Sequence, residues 1–158
     1  MNASVASFAA MERFSYRTDL RVPRFDDRYP IVVMDGECAL CTGAARTIAR
    51  MDKKGEFRIC PVQSDLGSGL LQHYGLNPDD PSTWLYLEDG VAHGSMDGVI
   101  RAGKRLGGIG RGLVVLLILP KPMRDWIYNM IARNRIRVFG RADMCATPDE
   151  ALKKRLLL

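Results

Sequence analysis

Two cysteines three positions apart are the residues of this sequence best suited to chemistry. Cys38 and Cys41 lie in the stretch MDGECALCTGAARTIARM, residues 34–51, after an apolar run and before a segment with helical spacing. If a helix begins here, the two side chains share one face and lie close enough for a disulfide. Three interpretations are open: a redox pair, half of a metal site, or two small inert residues.

The position of the pair favours redox chemistry. Unpaired backbone N–H groups at a helix start stabilise an anion, which would favour the thiolate of Cys38. We therefore expect Cys38 to attack a partner disulfide and Cys41 to resolve the mixed disulfide. Cys41, on the apolar face of the helix, is the expected buried thiol. A C-x-x-C between a strand and a helix is a moderately specific redox signal.

Two acidic residues precede the pair. Asp35 and Glu37 flank Gly36, and a carboxylate near a thiol raises the pKa of that thiol by charge repulsion. Asp35 could instead accept the proton of Cys41 during resolution, as a general base. We expect this second role for Asp35, and we expect Gly36 to allow the tight turn from strand to helix.

A metal site would need two ligands besides the pair. Cys60 follows Cys41 by 19 residues, Cys145 comes another 85 residues later, and the two histidines, His73 and His93, are isolated. Cys60 ends an apolar strand and is predicted to pack in the core. Cys145 could pack against the pair or form a disulfide with Cys60. Structural zinc is kept as an alternative interpretation, although these residues show no second C-x-x-C.

The elements around the pair follow from hydrophobic periodicity and turn residues. The order β-α-β-α-β-β-α predicts an α/β sandwich of thioredoxin-like topology with an added C-terminal helical region. The turn of a hairpin is predicted at Glu88-Asp89-Gly90. The predicted strands cover 29–35 and 56–62 and the hairpin 82–95, and the predicted helices cover 41–55, 66–76, 96–108, 112–122 and 123–137.

The length of 158 residues suits one domain. We expect residues 1–28 to be a poorly ordered extension, 29–108 the thioredoxin-like core, and 109–158 a helical region packed on the same domain. The first 30 residues lack the apolar core of a secretory signal. The longest apolar run, residues 113–119, is about a third of the ~20 residues that a spanning helix needs. A cytoplasmic protein is therefore expected.

The charge is distributed unevenly. Residues 1–98 carry a net charge of −4, whereas residues 99–158 carry +9. A solvated helical face is the simpler explanation, and a weak contact with an anionic membrane surface is the alternative. No nucleic-acid motif accompanies the charges, so no nucleic-acid partner is expected. A redox-sensing binding or scaffold module that uses this basic half is a rival to the oxidoreductase.

Three stretches resemble the DCC family of predicted thiol-disulfide oxidoreductases. The motif D-G-x-C-x-L-C stands here as DGECALC, residues 35–41, and the likeness continues through residues 85–100 and 124–148. The resemblance implies a thioredoxin-like fold with Asp35, Cys38 and Cys41 as the site. No bound cofactor is required, and the partner would be an unidentified protein or small-molecule thiol or disulfide. Asp97 departs from the family pattern, which has a small residue there.

Two further expectations come with this resemblance. Thioredoxins place a cis-proline opposite the cysteines, and Pro81 is the nearest candidate in this chain. Asn134 and Arg135 match an Asn-Arg pair of the family. We expect this pair to fix the C-terminal region by hydrogen bonds rather than to contact an anion. Cys145 matches the terminal Cys of the family.

Overall fold

The computed structural model describes residues 11–80, 84–146 and 148–158. Pro81 lies outside these residues, so the prediction of a cis-proline at this position stays untested. The strands are β1 (Ile31–Met34), β2 (Arg58–Pro61), β3 (Leu85–Glu88) and β4 (Val91–His93). The α-helices are α1 (Ala39–Met51), α2 (Asp65–His73), α3 (Ser95–Leu106), α4 (Lys121–Phe139) and α5 (Glu150–Lys153). Two 3-10 helices cover Ser15–Thr18 and Gly108–Ile118.

The four strands form one mixed sheet in the order β2-β1-β3-β4. β1 pairs in parallel with β2 and antiparallel with β3, and β3 pairs antiparallel with β4 through the predicted tight turn. Every residue of β1 is buried, as expected for a central strand covered on both faces. The predicted order of elements, and with it the thioredoxin-like α/β fold with added C-terminal helices, is confirmed.

Successive side chains of β1 point to opposite faces of the sheet. Ile31 and Val33 belong to a core shared with α2, whereas Val32 and Met34 belong to a second core shared with α1, α3 and α5. The sheet therefore separates two apolar cores. The C-x-x-C motif follows β1 directly, so the buried central strand positions the first residues of the motif.

The structure differs from the expected disordered extension over residues 11–28. Tyr16 is only 2% exposed and packs with Phe25 in the core next to α2. Its hydroxyl donates a hydrogen bond to Asp27 Oδ2 at 3.0 Å. The aromatic residues of this stretch recur at neither helical nor strand spacing. Hydrophobic periodicity therefore did not predict that they belong to the core.

A prediction follows for this packing. Gly69 lies where α2 meets residues 21–22, and a Cβ placed on it would come within 2.2 Å of the Arg21 carbonyl oxygen. Gly69→Ala is therefore expected to destabilise the protein by about 1–3 kcal/mol, the usual cost of overpacking. Chemical denaturation would measure this effect. Gly43→Ala on α1, where nothing lies within 4 Å of the added Cβ, is the control and is expected to be neutral or stabilising. Equal stability of the Gly69→Ala variant and the wild type would contradict this packing.

The apolar stretch predicted as a helix over 112–122 has a different form. It belongs to the 3-10 helix Gly108–Ile118, and Pro120 precedes α4. The segment packs tightly on α3 at a pair of glycines: a Cβ on Gly103 would lie 2.7 Å from the Gly110 carbonyl oxygen. This close approach and the positive φ at Gly107 and Gly108 determine the backbone conformation of the segment. Hydropathy alone does not predict that conformation.

Several apolar side chains of this 3-10 helix and of α4 are exposed. Ile109, Val115 and Ile118 are more than half exposed, as is Trp126. In the described part of the chain, no helix is both long enough and apolar enough to cross a membrane.

The C-terminal part of the chain closes the fold at two places. Residues 140–144, here named the cover segment, cross the start of α1 and pair with it through an isolated bridge between Cys38 and Arg141. Further on, the Ile59 N–H donates to the Arg155 carbonyl oxygen and the Leu157 N–H donates to the Ile59 carbonyl oxygen, both at 2.8 Å. The region after residue 108 thus contacts both α1 and the edge strand β2.

Candidate redox site

The cysteine pair lies where β1 passes into α1. Cys38 is the residue that caps the helix, with extended backbone dihedrals, and its Sγ accepts a hydrogen bond from the Cys41 N–H at 3.5 Å. The predicted turn at Gly36 is present. A Cβ on Gly36 would lie 3.3 Å from the Pro61 Cβ, so the close approach of β2, rather than a positive φ, explains the glycine.

The exposure of the two cysteines is the reverse of what we predicted. Cys38 is 0% exposed, whereas Cys41 is partly exposed. The cover segment causes this reversal: the Ala39 N–H donates to the Gly140 carbonyl oxygen at 3.2 Å, and the Ala142 N–H donates to the Glu37 carbonyl oxygen at 3.0 Å. The expectation that Cys41 is the buried thiol is therefore wrong, because a segment 100 residues away in sequence covers Cys38.

Asp35 is held by three hydrogen bonds. Its Oδ1 accepts from the Glu37 N–H at 2.9 Å and from Gln63 Nε2 at 2.8 Å, and its Oδ2 accepts from Arg135 Nη2 at 2.8 Å. Gln63 also accepts a hydrogen bond from the Gly36 N–H at 3.0 Å. Gln63 thus fixes both the turn and the carboxylate, and sequence reasoning missed it because no motif includes it.

Arg135 joins Asp35 to the cysteine pair. Its Nη1 lies 3.3 Å from Cys41 Sγ, while Nη2 pairs with Asp35. The residue is only 4% exposed, which is unusual for arginine unless it is paired. We expected Asn134 and Arg135 to fix the C-terminal region rather than to contact an anion. Arg135 does fix the region, through its ion pair with Asp35, whereas Asn134 is exposed and donates to the Met130 carbonyl oxygen within α4.

The surroundings of Cys41 favour its neutral form. Burial raises the pKa of the Cys41 thiol to about 12, with Cys38 and Asp35 adding to the shift, while the Arg135 guanidinium opposes it. A thiol of this pKa is a slow nucleophile at neutral pH, because the thiolate is the reactive form. At neutral pH the Cys41 thiol is therefore mostly protonated and slow to react.

Cys41 and Arg135 line a cavity of about 520 Å³. Its walls come from α1, α3, α4 and the 3-10 helix Gly108–Ile118 and consist mostly of aliphatic side chains, methionines and Trp84. Ile109 and Ile131 line the cavity and are exposed at the surface. The cavity therefore connects solvent with the Cys41 sulfur.

The other predicted cysteines lie apart from the pair. Cys60 is buried in the core next to α2, where burial raises the pKa of its thiol to about 11. Cys145 is exposed, and its N–H donates to Asp143 Oδ1. Both are free thiols, so no disulfide joins them. Among the described residues, no group of three or more His, Cys, Asp or Glu side chains could hold a metal ion, so the zinc interpretation lacks its further ligands there.

A thioredoxin-like sheet with a C-x-x-C at the start of the α-helix that follows its first strand is an arrangement typical of thiol-disulfide oxidoreductases. The sequence profile of the DCC1-like thiol-disulfide oxidoreductase family matches residues 32–141, and the chain belongs to this family. This match includes the motif and Arg135 but ends within the cover segment.

Two relatives agree with this assignment. The chain is 35% identical to the uncharacterized protein YuxK of Bacillus subtilis over 127 residues, which cover 80% of this chain and 93% of YuxK. It is 31% identical to a chloroplastic DCC family protein of Arabidopsis thaliana over 121 residues, 76% of this chain and 70% of that protein. No solved structure matches the chain.

Proposed function

We propose that the protein exchanges a Cys38–Cys41 dithiol for a disulfide, and that Cys41 is the sulfur that meets the external partner. The exposure of Cys41 in the cavity, together with the burial of Cys38 beneath the cover segment, is the observation that carries this proposal. The roles are therefore the reverse of those that the sequence suggested.

The exchange begins from the oxidised protein. An external thiolate attacks Cys41 Sγ, the Cys38–Cys41 bond breaks, and Cys38 leaves as a thiolate close to the Cys41 N–H at the helix start. A second external thiolate attacks the external sulfur of the mixed disulfide, which releases an external disulfide and the Cys41 thiolate. Two electrons pass from the external thiols to the protein. The reverse sequence oxidises the dithiol.

Arg135 and Asp35 have separate parts in this scheme. The Arg135 guanidinium, 3.3 Å from Cys41 Sγ, stabilises negative charge on that sulfur as the thiolate departs or attacks. Asp35 holds Arg135 in place through their ion pair. Asp35 is also the proposed proton acceptor for Cys41; because the Arg135 guanidinium between them has no acceptor and cannot relay a proton, the transfer requires a direct approach of the two groups or one bridging water.

A redox titration tests the proposed function. The protein is equilibrated in glutathione buffers of graded potential and quenched with acid, its free thiols are alkylated after unfolding so that the buried Cys38 and Cys60 are reached, and each cysteine is read by mass spectrometry. We expect a reversible disulfide between Cys38 and Cys41. Cys145, which is exposed, and Cys60, which is buried, are controls inside the same molecule. We expect them to remain outside that disulfide. A pair that stays reduced at every potential would contradict the proposal.

The proposal places this exchange in the cytoplasm, where thiol systems keep cysteines reduced. A contact between the basic C-terminal half and an anionic membrane surface stays a prediction, as does the scaffold role that would use it.

A further inference from the structure

A polypeptide partner cannot pair with the backbone that flanks Cys38, because the protein's own chain occupies it. The carbonyl oxygens of Gly36 and Glu37 accept hydrogen bonds from Met144 and Ala142, at 2.7 and 3.0 Å. The N–H of Ala39 is likewise used by Gly140. Strand-like addition of a substrate peptide needs such groups to be free. Among the described residues, the cavity at Cys41 is therefore the route to the pair that stays open.

The cavity has the size and lining of a site for a small molecule. Its volume of about 520 Å³ lies within the range of about 300–1,000 Å³ that is common for small-ligand sites. Among the described residues that line it, Arg135 is the one charged side chain, and most of the others are apolar. Burying the carbon skeleton of a ligand here would be favourable, whereas burying a peptide backbone or several charges would not.

Arg135 has a hydrogen-bond donor that the protein leaves unused. Its Nε–H is buried and has no acceptor among the described residues, although Nη1 and Nη2 are engaged by Cys41 and Asp35. A buried donor without a partner is costly. Because Arg135 lines the cavity, a turn of its guanidinium on ligand binding would bring this donor to an oxygen atom of a ligand beside Cys41.

We infer that the exchange partner of Cys41 is a small apolar thiol or disulfide with a carboxylate oxygen close to its sulfur. This inference rests on the proposed function and specifies its substrate class. In the reduced protein, the Cys41 thiolate attacks one sulfur of the ligand disulfide R–S–S–R, which releases R–S⁻ and leaves the R–S group on Cys41 as a mixed disulfide. The Cys38 thiolate then attacks Cys41 Sγ, which releases the second R–S⁻ and forms the protein disulfide. The ligand gains the two electrons that the dithiol loses.

The test compares symmetric disulfides of 2-mercaptoalkanoic acids that differ only in chain length. The reduced full-length chain is mixed with the disulfide of 2-mercaptopropionate or of 2-mercaptohexanoate, and the appearance of the Cys38–Cys41 disulfide is followed by quenching and mass spectrometry. We expect a rate gain of roughly fourfold for each methylene of the half that enters the cavity, about sixtyfold for the three methylenes by which each half differs. Mixed-disulfide formation at the exposed Cys145 is the internal reference and should not follow chain length.

Two variants locate the effect in the cavity. Ala44 is exposed on α1 and lines the cavity, so Ala44→Phe is expected to remove most of the gain with chain length while the reaction with glutathione disulfide changes less. Gln72→Phe places the same side chain at an exposed position of α2 outside the cavity and should leave the gain intact. A gain that persists in the Ala44→Phe variant would overturn the inference.

The carboxylate is tested by a ratio of rates. Wild-type protein is expected to react at least about tenfold faster with a 2-mercaptoalkanoate disulfide than with the alkanethiol disulfide of equal chain length, as for a charge-assisted hydrogen bond. Arg135→Gln should reduce this ratio. Any effect of Arg135 on the reactivity of Cys41 changes both rates alike and therefore cancels in the ratio. Arg133→Gln, at a neighbouring exposed position of α4, is the control.

The outcomes separate the two proposals. A Cys38–Cys41 disulfide that forms in glutathione buffer, but at rates independent of chain length and carboxylate, overturns the substrate class and leaves the oxidoreductase proposal standing. Absence of that disulfide with every reagent overturns both proposals.

Discussion

Replacement of Cys41 by serine is expected to lower the rate of disulfide exchange by more than about a thousandfold, because the attacking or attacked sulfur is lost. Replacement of Cys38 by serine is expected to have a different result. The Cys38→Ser variant retains the partly exposed Cys41 sulfur but lacks the one that resolves the mixed disulfide. Treated with glutathione disulfide, it should accumulate a stable adduct on Cys41.

Intact-mass measurement and peptide mapping distinguish these outcomes. The adduct of the Cys38→Ser variant should lie on Cys41, and the Cys41→Ser variant should form little adduct on the buried Cys38. Cys145→Ser is the control, with an exchange rate at the 38–41 pair equal to that of the wild type. Rapid adduct formation on Cys38 in the Cys41→Ser variant would show that the roles are those suggested by the sequence alone.

The second large effect is expected at the ion pair between Asp52 and Arg155. The Asp52 carboxylate is 4% exposed and accepts hydrogen bonds from Arg155 Nε at 2.9 Å and from the Phe57 N–H at 2.9 Å. Arg155 also donates to the Asp52 carbonyl oxygen at 2.7 Å. Arg155→Met leaves the carboxylate buried without its cation, which is expected to cost about 3–5 kcal/mol in the free energy of unfolding.

The pH dependence identifies the cause of this loss. Burial acts to raise the pKa of Asp52, but Arg155 and the backbone N–H groups of Phe57 and Glu56 outweigh it, so the pKa lies below its ordinary value of 3.8. The pair therefore contributes fully above about pH 4, and its contribution is lost as the pH falls through the folded-state pKa. The difference in the free energy of unfolding between the wild type and the Arg155→Met variant should become smaller in acid.

Urea unfolding at several pH values would measure this difference. Lys154→Met is the control, because Lys154 is the exposed neighbour of Arg155 and its replacement also removes one positive charge. It is expected to change stability by less than about 0.5 kcal/mol. A difference between the Arg155→Met variant and the wild type that stays constant down to low pH would mean that packing of the Arg155 stem, rather than the ion pair, is the source of the loss.

The sequence was most informative where a local pattern determines structure. β1 is a short β-branched run, α1 has helical spacing, and the turn at Asp89 and Gly90 has residues that tolerate a positive φ. The adjacency of Asp35, Cys38 and Cys41 follows from the same local rules. These elements gave a correct fold and a coherent candidate site without any long-range information.

The sequence was least informative where distant residues meet. Arg135 reaches Asp35 across 100 residues and the cover segment reaches Gly36 across a similar separation. Hydrophobic periodicity describes one element at a time, so it does not predict contacts between residues that are distant in sequence. The reversal of the two thiols, the packing of Tyr16 and the form of the 3-10 helix Gly108–Ile118 all depend on tertiary packing, which overrides local preference.

The burial of Cys38 beneath the cover segment gives the protein a built-in reporter of its own local opening. A thiol that reagents cannot reach in the closed state is labelled only during the intervals when the segment lifts. When closing is faster than labelling, the labelling rate divided by that of a free thiol equals the equilibrium constant for that opening, as in amide hydrogen exchange. One native cysteine thus reports the free energy that holds the C-terminal region against the start of α1.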